Sequence, residues 1–358
     1  MPPETAGSIH RSYLTLIDMS ERTGILGVGN WIVDHIKVID IWPSQDGLAN
    51  IKSEHRGTGG APFNVSAGLS KLGAPFPISA AGIIGRDEPG EWILETCEAH
   101  EIDTTLMRQT MDAPTSYTDV MTVERTGRRT FFHQKGANSL LDIQSIDLSR
   151  SNAKILHLGY LLLLDSLDVS NAAFGTNAGE LLHLASELGF VTSADLVSEE
   201  SERFSTVVLP TLPYLDLIFL NELEAGRTFN MNIRENDVLN VSNLLEAVDL
   251  LLQAGVRHWV IVHFPEGVLA ASKDGDRLFQ PSLLLPQDFI VGSAGAGDAI
   301  ASGVLLGYHE GASMNDSLLY GVCTAAASLR HPSCTEGIEQ IGDCVALAKK
   351  FGFRPSII

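Results

Sequence analysis

Short apolar runs alternate with amphipathic segments throughout the second half of the chain. From residue 153 onwards, each apolar run is followed by a segment in which apolar residues recur every three or four positions. The apolar runs are Ile155–Leu158, Val191–Ala194, Leu217–Leu220 and Trp259–His263. The amphipathic segments include one with Leu181, Ala185 and Leu188 and another with Leu244, Val248 and Leu251. This alternation predicts an α/β fold with a doubly wound, mostly parallel sheet flanked by helices.

The first half of the chain contains similar units together with two predicted hairpins. Ile25–Val28 and Phe76–Ala81 are typical of buried strands. Extended segments at about residues 32–58 and 115–135 predict two hairpins that stand apart from the helical units. A helix is expected to begin near Asn64.

The predicted domain organisation is simple. Residues 1–22 are interpreted as an N-terminal extension, and residues 23–358 as one domain into which both hairpins are inserted. Composition agrees with a globular domain, since 44% of the residues are hydrophobic and the chain contains 33 glycines.

Charge and cysteine content exclude several classes of function. The formal net charge of −20 argues against a nucleic-acid partner, because such proteins need a basic face. The four cysteines are far apart in sequence, which indicates neither a disulfide scaffold nor a zinc site and is typical of a cytoplasmic protein. No apolar run reaches the roughly 18 residues of a membrane span, so no membrane association is expected.

Residues with polar side chains follow the predicted strands at one edge of the sheet. They are Tyr160, Asp195, Asn221 with Glu224, and His263 with Glu266. In doubly wound sheets ligands bind beyond the carboxyl ends of the strands. This edge is therefore the predicted binding site.

A glycine-rich turn lies before a predicted helix near the end of the chain. Gly295, Ala296 and Gly297 directly precede Asp298. A helix that begins in this way offers unpaired backbone N–H groups to an anion such as a phosphate. A carboxylate facing that anion is repelled unless it accepts a proton or holds a metal, which favours Asp298 as a general base. On this motif alone, an ordinary acidic residue at a helix N-terminus remains the alternative.

Four short motifs occur in an order that resembles the PfkB/ribokinase family of carbohydrate and nucleoside kinases. They are Gly59–Asn64, with the pattern G-G-x-x-x-N, Asn221 with Glu224, Glu266–Gly267, and Gly292–Asp298. The resemblance extends from about Gly24 to about Gly337. It implies a ribokinase-like fold with a small β-sheet lid, and an ATP- and Mg²⁺-dependent kinase that phosphorylates an alcohol. No G-x-G-x-x-G motif follows the first strand, which argues against a dinucleotide-dependent oxidoreductase.

The resemblance also implies roles for residues on the phosphate side of the site. Asp298 takes the hydroxyl proton, and the N–H groups of Gly295, Ala296 and Gly297 stabilise the transferred phosphoryl group. The nucleotide-binding residues are Asn221, Glu224, Glu266 and Gly267, and Glu224 also serves as the metal residue. Without the resemblance, Asn221 and Glu224 equally fit a helix capping box.

On the acceptor side, the resemblance implies that Asp34, Gly60, Asn64 and Lys135 bind the substrate. A carboxylate such as Asp34 accepts hydrogen bonds from two hydroxyls, which suits a sugar. The simpler alternatives are an exposed strand residue for Asp34, an N-cap for Asn64 and a solvated lysine for Lys135.

Several questions stay open at this level. The lid of related kinases pairs between subunits, so a homodimer through the lid is plausible. Gly292 stands where cation-activated relatives have an aspartate, so the resemblance carries no monovalent-cation site. A nucleoside remains the alternative acceptor, because Trp31, Trp42 and Phe63 lie near the motifs and aromatic rings stack on bases. A catalytically silent sugar-binding protein on the same fold is the third alternative.

Overall fold

A computed structural model describes residues 22–358 of the chain. The strands are β1 (Ile25–Gly29), β2 (Ile32–Ile39), β3 (Ile51–Gly59), β4 (Ile78–Gly85), β5 (Ile102–Thr110), β6 (Tyr117–Val123), β7 (Arg129–Gln134), β8 (Ile155–Leu161), β9 (Ser170–Asn171), β10 (Gly175–Thr176), β11 (Val191–Leu196), β12 (Leu217–Asn221), β13 (Arg234–Glu235), β14 (Val238–Leu239), β15 (Trp259–Phe264), β16 (Gly267–Ser272) and β17 (Arg277–Pro281). The helices are α1 (Ala61–Leu72), α2 (Glu88–Ala99), α3 (Asn177–Glu187), α4 (Leu209–Thr211), α5 (Glu222–Thr228), α6 (Val241–Gln253), α7 (Ala296–His309), α8 (Met314–Ser328) and α9 (Ile341–Phe351). The predicted N-terminal extension lies outside the described residues, apart from its last residue.

The main sheet has nine strands in the order β17-β16-β15-β12-β11-β8-β1-β4-β5. Seven consecutive strands, from β15 to β5 in this order, are parallel, and β16 and β17 add an antiparallel edge. Buried apolar side chains form a core on each face of the sheet. The predicted fold class, a mostly parallel sheet flanked by helices with a small second sheet, is confirmed. Strands β5, β16 and β17 were not predicted.

A second sheet of four strands, in the order β3-β2-β6-β7, forms a lid over one edge of the main sheet. Both hairpins are antiparallel, and β2 and β6 join them in parallel. Trp42 stacks on Phe132 of β7 with ring centroids 6.1 Å apart, and both side chains are exposed. A homodimer through the lid stays a prediction.

The start of α1 differs from the expectation. The helix begins at Ala61, three residues before Asn64, with Gly60 as its N-cap at φ 85°. A Cβ atom on Gly60 would lie 2.0 Å from the carbonyl oxygen of Asn30, so only glycine fits this close approach. The helix therefore begins three residues before the start expected near Asn64, and Asn64 lies in its first turn with its side chain buried.

Small residues bring α7 and α8 into close contact. A Cβ atom on Gly303 would lie 2.6 Å from the backbone of Tyr320, and one on Gly307 would lie 2.5 Å from Ser317 Oγ. Contacts of this kind leave little room for either helix to shift. They fix the start of α7, where Asp298 lies. Within residues 22–358, none of the helices has the length and apolar character required for a transmembrane segment.

Candidate active site

A cavity of about 750 Å³ lies between the lid and the carboxyl ends of the parallel strands. Nine of the predicted site residues line it: Asp34, Gly60, Asn64, Asn221, Glu224, Gly295, Ala296, Gly297 and Asp298. The chain positions of these residues span most of the sequence. The fold therefore assembles these residues into one site from the first hairpin, α1, α5 and α7.

Asp298 lies buried in the first turn of α7. Its Oδ2 accepts a hydrogen bond of 2.8 Å from Asn64 Nδ2, and the Tyr160 hydroxyl donates to Oδ1 and Oδ2 at 2.9 Å and 3.0 Å. Burial raises the pKa of Asp298 to about 6, although both hydrogen bonds favour the charged form and lower it. A carboxylate with this pKa is ionised at neutral pH and accepts a proton more readily than an exposed aspartate.

The glycine turn places the N-terminus of α7 against the cavity. Gly295 is the N-cap at φ 69°, and a Cβ atom there would lie 2.5 Å from Cys334 Cβ. A Cβ atom on Gly297 would lie 2.9 Å from His263 Nε2. The first N–H groups of the helix have no intrahelical acceptor and carry the positive end of the helix dipole. The turn therefore lies in the cavity wall next to Asp298.

Asp34 extends from lid strand β2 into the same cavity and is 9% exposed. Burial raises its pKa well above the usual range, and the nearby charge of Asp298 raises it further, while a hydrogen bond with Thr118 lowers it. The alternative of an exposed strand residue is excluded by this burial. Gly59 makes room for Asp34, since a Cβ atom there would lie 2.3 Å from Asp34 Oδ1.

Asn64 connects the lid to Asp298. Its Oδ1 accepts a hydrogen bond of 2.7 Å from Thr58 Oγ1 on strand β3, while its Nδ2 donates to Asp298. Because an ionised carboxylate only accepts hydrogen bonds, the Nδ2 end of the amide faces Asp298 and the Oδ1 end faces the Thr58 hydroxyl.

Asn221 and Glu224 form a capping box and also line the cavity. Asn221 Oδ1 accepts from the Glu224 N–H, and Glu224 Oε2 accepts from the Asn221 N–H, both at 2.8 Å. The other oxygen, Glu224 Oε1, accepts a hydrogen bond of 2.6 Å from Ser198 Oγ. Burial raises the pKa of Glu224 to about 7. The capping-box interpretation of Asn221 and Glu224 is therefore compatible with their predicted role in nucleotide binding.

Asp195, at the end of β11, is the second acid on this side of the cavity. Burial raises its pKa well above the usual range, and the charges of Asp298 and Glu224 add to the effect. In residues 22–358 neither Asp195 nor Glu224 makes a salt bridge, and no three potential metal ligands converge on one point. Mg²⁺ is commonly held by one or two carboxylates together with substrate phosphates and water. The two carboxylates fit such an ion.

Three predicted site residues do not line the cavity. Lys135 Nζ forms an ion pair of 2.5 Å with Asp165, and both side chains are close to half exposed. Glu266 forms a bidentate pair with Arg234 at 3.1 Å and 2.6 Å. Gly267 lies in β16, where a Cβ atom would meet Gln280 and Phe279. These contacts place all three residues outside the cavity wall.

The sequence interpretation did not identify several residues that line the cavity. Arg129, Phe131 and His133 do so from β7, and Arg129 Nη2 donates a hydrogen bond of 2.6 Å to Ser293 Oγ beside the glycine turn. Their spacing of two residues places them on one face of a strand, which is the pattern that could have revealed them.

The aromatic residues considered for base stacking lie elsewhere. Trp31 is fully buried against Phe63, with ring centroids 5.2 Å apart, and Trp42 is on the exposed part of the lid. None of these three side chains lines the cavity. They are therefore not available to stack on a nucleobase in this site.

Comparison with known proteins agrees with this geometry. The chain is 24% identical to a 5-dehydro-2-deoxygluconokinase of Clostridium beijerinckii over 92% of this chain and 98% of the relative. It is also 24% identical to a nucleoside kinase of Methanothermobacter thermautotrophicus over 95% of this chain and 100% of the relative. The fold is similar to that of Arabidopsis thaliana ribokinase complexed with ribose and ATP, with a TM-score of 0.73, 18% identity, and coverage of 92% of this chain and 99% of the other. Residues 29–341 match the pfkB family carbohydrate kinases, and the chain therefore belongs to this family.

Proposed function

We propose that the protein transfers the γ-phosphoryl group of ATP to a hydroxyl of a sugar or sugar derivative, with Asp298 as the general base. The proposal rests on the buried Asp298 carboxylate, which accepts a hydrogen bond from Asn64 and lies in the first turn of α7 beside the glycine turn. The acceptor oxygen forms a bond to the γ-phosphorus, and the bond from this phosphorus to the bridging oxygen of ADP breaks. The hydroxyl proton passes to Asp298.

The glycine turn stabilises the charge on the transferred group. Gly295, Ala296 and Gly297 lie at the start of α7 and line the cavity that the lid covers. Backbone donors fixed in this way need no reorganisation when negative charge develops on the phosphoryl oxygens. Arg129 reaches the turn from the lid through Ser293, so it is positioned to bring positive charge to the same region.

Asp195 and Glu224 would hold Mg²⁺ on the nucleotide side of the cavity. When bound, Mg²⁺ neutralises part of the phosphate charge and aligns the phosphates. The charge of Glu224 makes ionisation of Asp195 less favourable, and neither residue makes a salt bridge in residues 22–358. Asn221 lies beside Glu224 and donates a hydrogen bond of 2.7 Å to Ser198.

A sugar or sugar acid is favoured over a nucleoside as the acceptor. The preference rests on Asp34, a buried carboxylate that accepts hydrogen bonds from hydroxyls. Trp31, Trp42 and Phe63 do not line the cavity, whereas Phe131 and Tyr160 are aromatic rings in its wall. A sugar acid deserves testing for two reasons. One relative is named as a kinase of 5-dehydro-2-deoxygluconate, and Arg129 adds a guanidinium group to the cavity wall.

An ADP-release assay with four acceptors tests the proposal. The acceptors are 5-dehydro-2-deoxygluconate, ribose, fructose and adenosine, each with saturating ATP and Mg²⁺. We expect saturable ADP release with at least one of the first three and none above background with adenosine. Turnover with adenosine alone would favour a nucleoside kinase. Sugar binding in calorimetry without ADP release would favour a catalytically silent binding protein.

Replacing Glu224 with glutamine is expected to raise the Mg²⁺ concentration needed for half-maximal activity by about 10-fold. The substitution removes a negative charge, but glutamine at this helix position still accepts the hydrogen bond of the capping box. The Mg²⁺ dependence of initial rates measures the effect. The control is Glu88→Gln, which changes an exposed acid in the first turn of α2. If the variant folds normally and its Mg²⁺ requirement is unchanged, Glu224 does not hold Mg²⁺.

A further inference from the structure

The Tyr160 hydroxyl contacts both oxygens of the proposed base. It lies 2.9 Å from Asp298 Oδ1 and 3.0 Å from Oδ2, so its single proton is shared between them. The side chain is partly exposed and lines the cavity. The proposed roles of the glycine turn in phosphate binding and of Asp34 in acceptor binding do not explain this contact.

The contact occupies space that the reaction requires. A general base must lie within about 2.6–3.2 Å of the hydroxyl whose proton it removes. Asn64 already donates to Asp298 Oδ2, and Tyr160 lies across both oxygens. Asp298 is buried at 5% exposure, which leaves little of its carboxylate open to the cavity. An acceptor hydroxyl therefore competes with the tyrosine hydroxyl for the same face of the carboxylate.

The backbone of Tyr160 is held firmly at the end of β8. Its N–H donates a hydrogen bond of 2.6 Å to Asn30 Oδ1, and Asn30 Nδ2 donates to the Leu163 carbonyl at 3.3 Å. Burial and the negative charges of Asp298 and Asp195 raise the pKa of Tyr160 well above its usual value. The hydroxyl thus remains protonated and keeps its role as a donor. Because Asn30 holds the backbone, displacement of the hydroxyl requires a change in the side-chain torsion angles of Tyr160.

We propose that the Tyr160 hydroxyl is a placeholder, which occupies the position of the acceptor hydroxyl on Asp298 until the acceptor binds and replaces it. The inference rests on the proposed function, because it requires Asp298 to be the base. Its consequence is protection against wasteful hydrolysis when ATP is bound alone. In that side reaction, water oxygen bonds to the γ-phosphorus, the bond to ADP breaks, one water proton passes to Asp298, and phosphate is released.

The Tyr160→Phe variant tests this proposal. It keeps the ring and removes the hydroxyl, which leaves polar space beside Asp298 for a water molecule. We expect the rate of ATP hydrolysis with Mg²⁺ and no acceptor, divided by kcat with the best acceptor of the assay above, to rise by about 5-fold or more. The KM of that acceptor should fall, because no hydroxyl has to be displaced. Tyr308→Phe is the control, since the Tyr308 hydroxyl lies 3.3 Å from Nδ1 of the exposed His258 and Tyr308 does not line the cavity.

Two results would overturn the placeholder. Unchanged hydrolysis would show that Tyr160 does not exclude water from Asp298. A fall of about 10-fold or more in kcat at saturating acceptor would show that the hydroxyl stays on Asp298 during transfer. Asp298→Asn, measured in parallel, separates these failures from a failure of the proposed function. If Asp298→Asn is inactive while Tyr160→Phe hydrolyses ATP like the wild type, only the placeholder is wrong. Normal turnover of Asp298→Asn would show that Asp298 is not the general base.

Discussion

Replacing Asp298 with asparagine is expected to lower kcat by about 10²–10⁴-fold, equivalent to roughly 3–5 kcal/mol of activation free energy. Asparagine has the same shape and can still pair with Tyr160, but it cannot take the proton of the acceptor hydroxyl. The glycine turn and the Mg²⁺-binding acids remain, so ATP affinity should be nearly unchanged. Initial rates and calorimetric titration with ATP separate the two quantities.

The pH dependence provides an independent measurement of the same residue. Because burial raises the pKa of Asp298 to about 6, wild-type activity should rise as the pH passes upward through about 6 and Asp298 loses its proton. The residual activity of Asp298→Asn should lack this rise. An asparagine variant with wild-type kcat, or with the same rise near pH 6, would contradict the assignment of Asp298 as the base.

Replacing Asp34 with alanine is expected to lower kcat/KM for the acceptor by about 10²-fold or more, with the KM of ATP changed by less than about 3-fold. Asp34 is buried in the lid wall of the cavity and is the acid placed to accept hydrogen bonds from acceptor hydroxyls. Removing the carboxylate leaves those hydroxyls without partners in a closed site. Steady-state kinetics with each substrate varied in turn measures both constants.

The matched control for Asp34 is Asp119→Ala. Asp119 lies on lid strand β6, pairs with Lys37 and does not line the cavity. Its removal should leave the acceptor constants within about 2-fold of the wild type. Equal effects of both substitutions would mean that the lid, and not the Asp34 carboxylate, determines acceptor binding.

The main sheet was predictable because its buried parallel strands are short apolar runs with amphipathic helices between them. Leu244, Val248 and Leu251 are all buried on α6, as their spacing indicated. Strand β16 was missed because it directly follows a two-residue turn after β15 and carries the small residues Gly267, Ala270 and Ala271. Such composition gives little indication of a strand.

The sequence motifs identified residues that line the cavity. Tertiary contacts, however, determine which residues near those motifs also line it. Lys135 was assigned to the acceptor from its place after the second hairpin, yet the chain turns there into a short 3₁₀ helix and the lysine pairs with Asp165. Arg129 belongs to a pair of arginines near a hairpin turn, where solvated side chains are common, and only the closure of the lid brings it to Ser293. Contacts across 164 residues of sequence are not visible in a local pattern.

The cluster of buried carboxylates has a thermodynamic consequence for the protein without its ligands. The folded state raises the pKa of Asp34, Asp195, Glu224 and Asp298, so it binds protons more tightly than the unfolded chain does. For Asp298 and Glu224, the resulting stability is fully present below the unfolded pKa values near 4 and is lost as the pH rises through their folded pKa values of about 6 and about 7. For Asp298 alone, the change from 3.8 to about 6 corresponds to roughly 3 kcal/mol. The free energy of unfolding is therefore lower at neutral pH than at acidic pH, because these buried acids ionise. A cation bound between Asp195 and Glu224 would restore part of this stability.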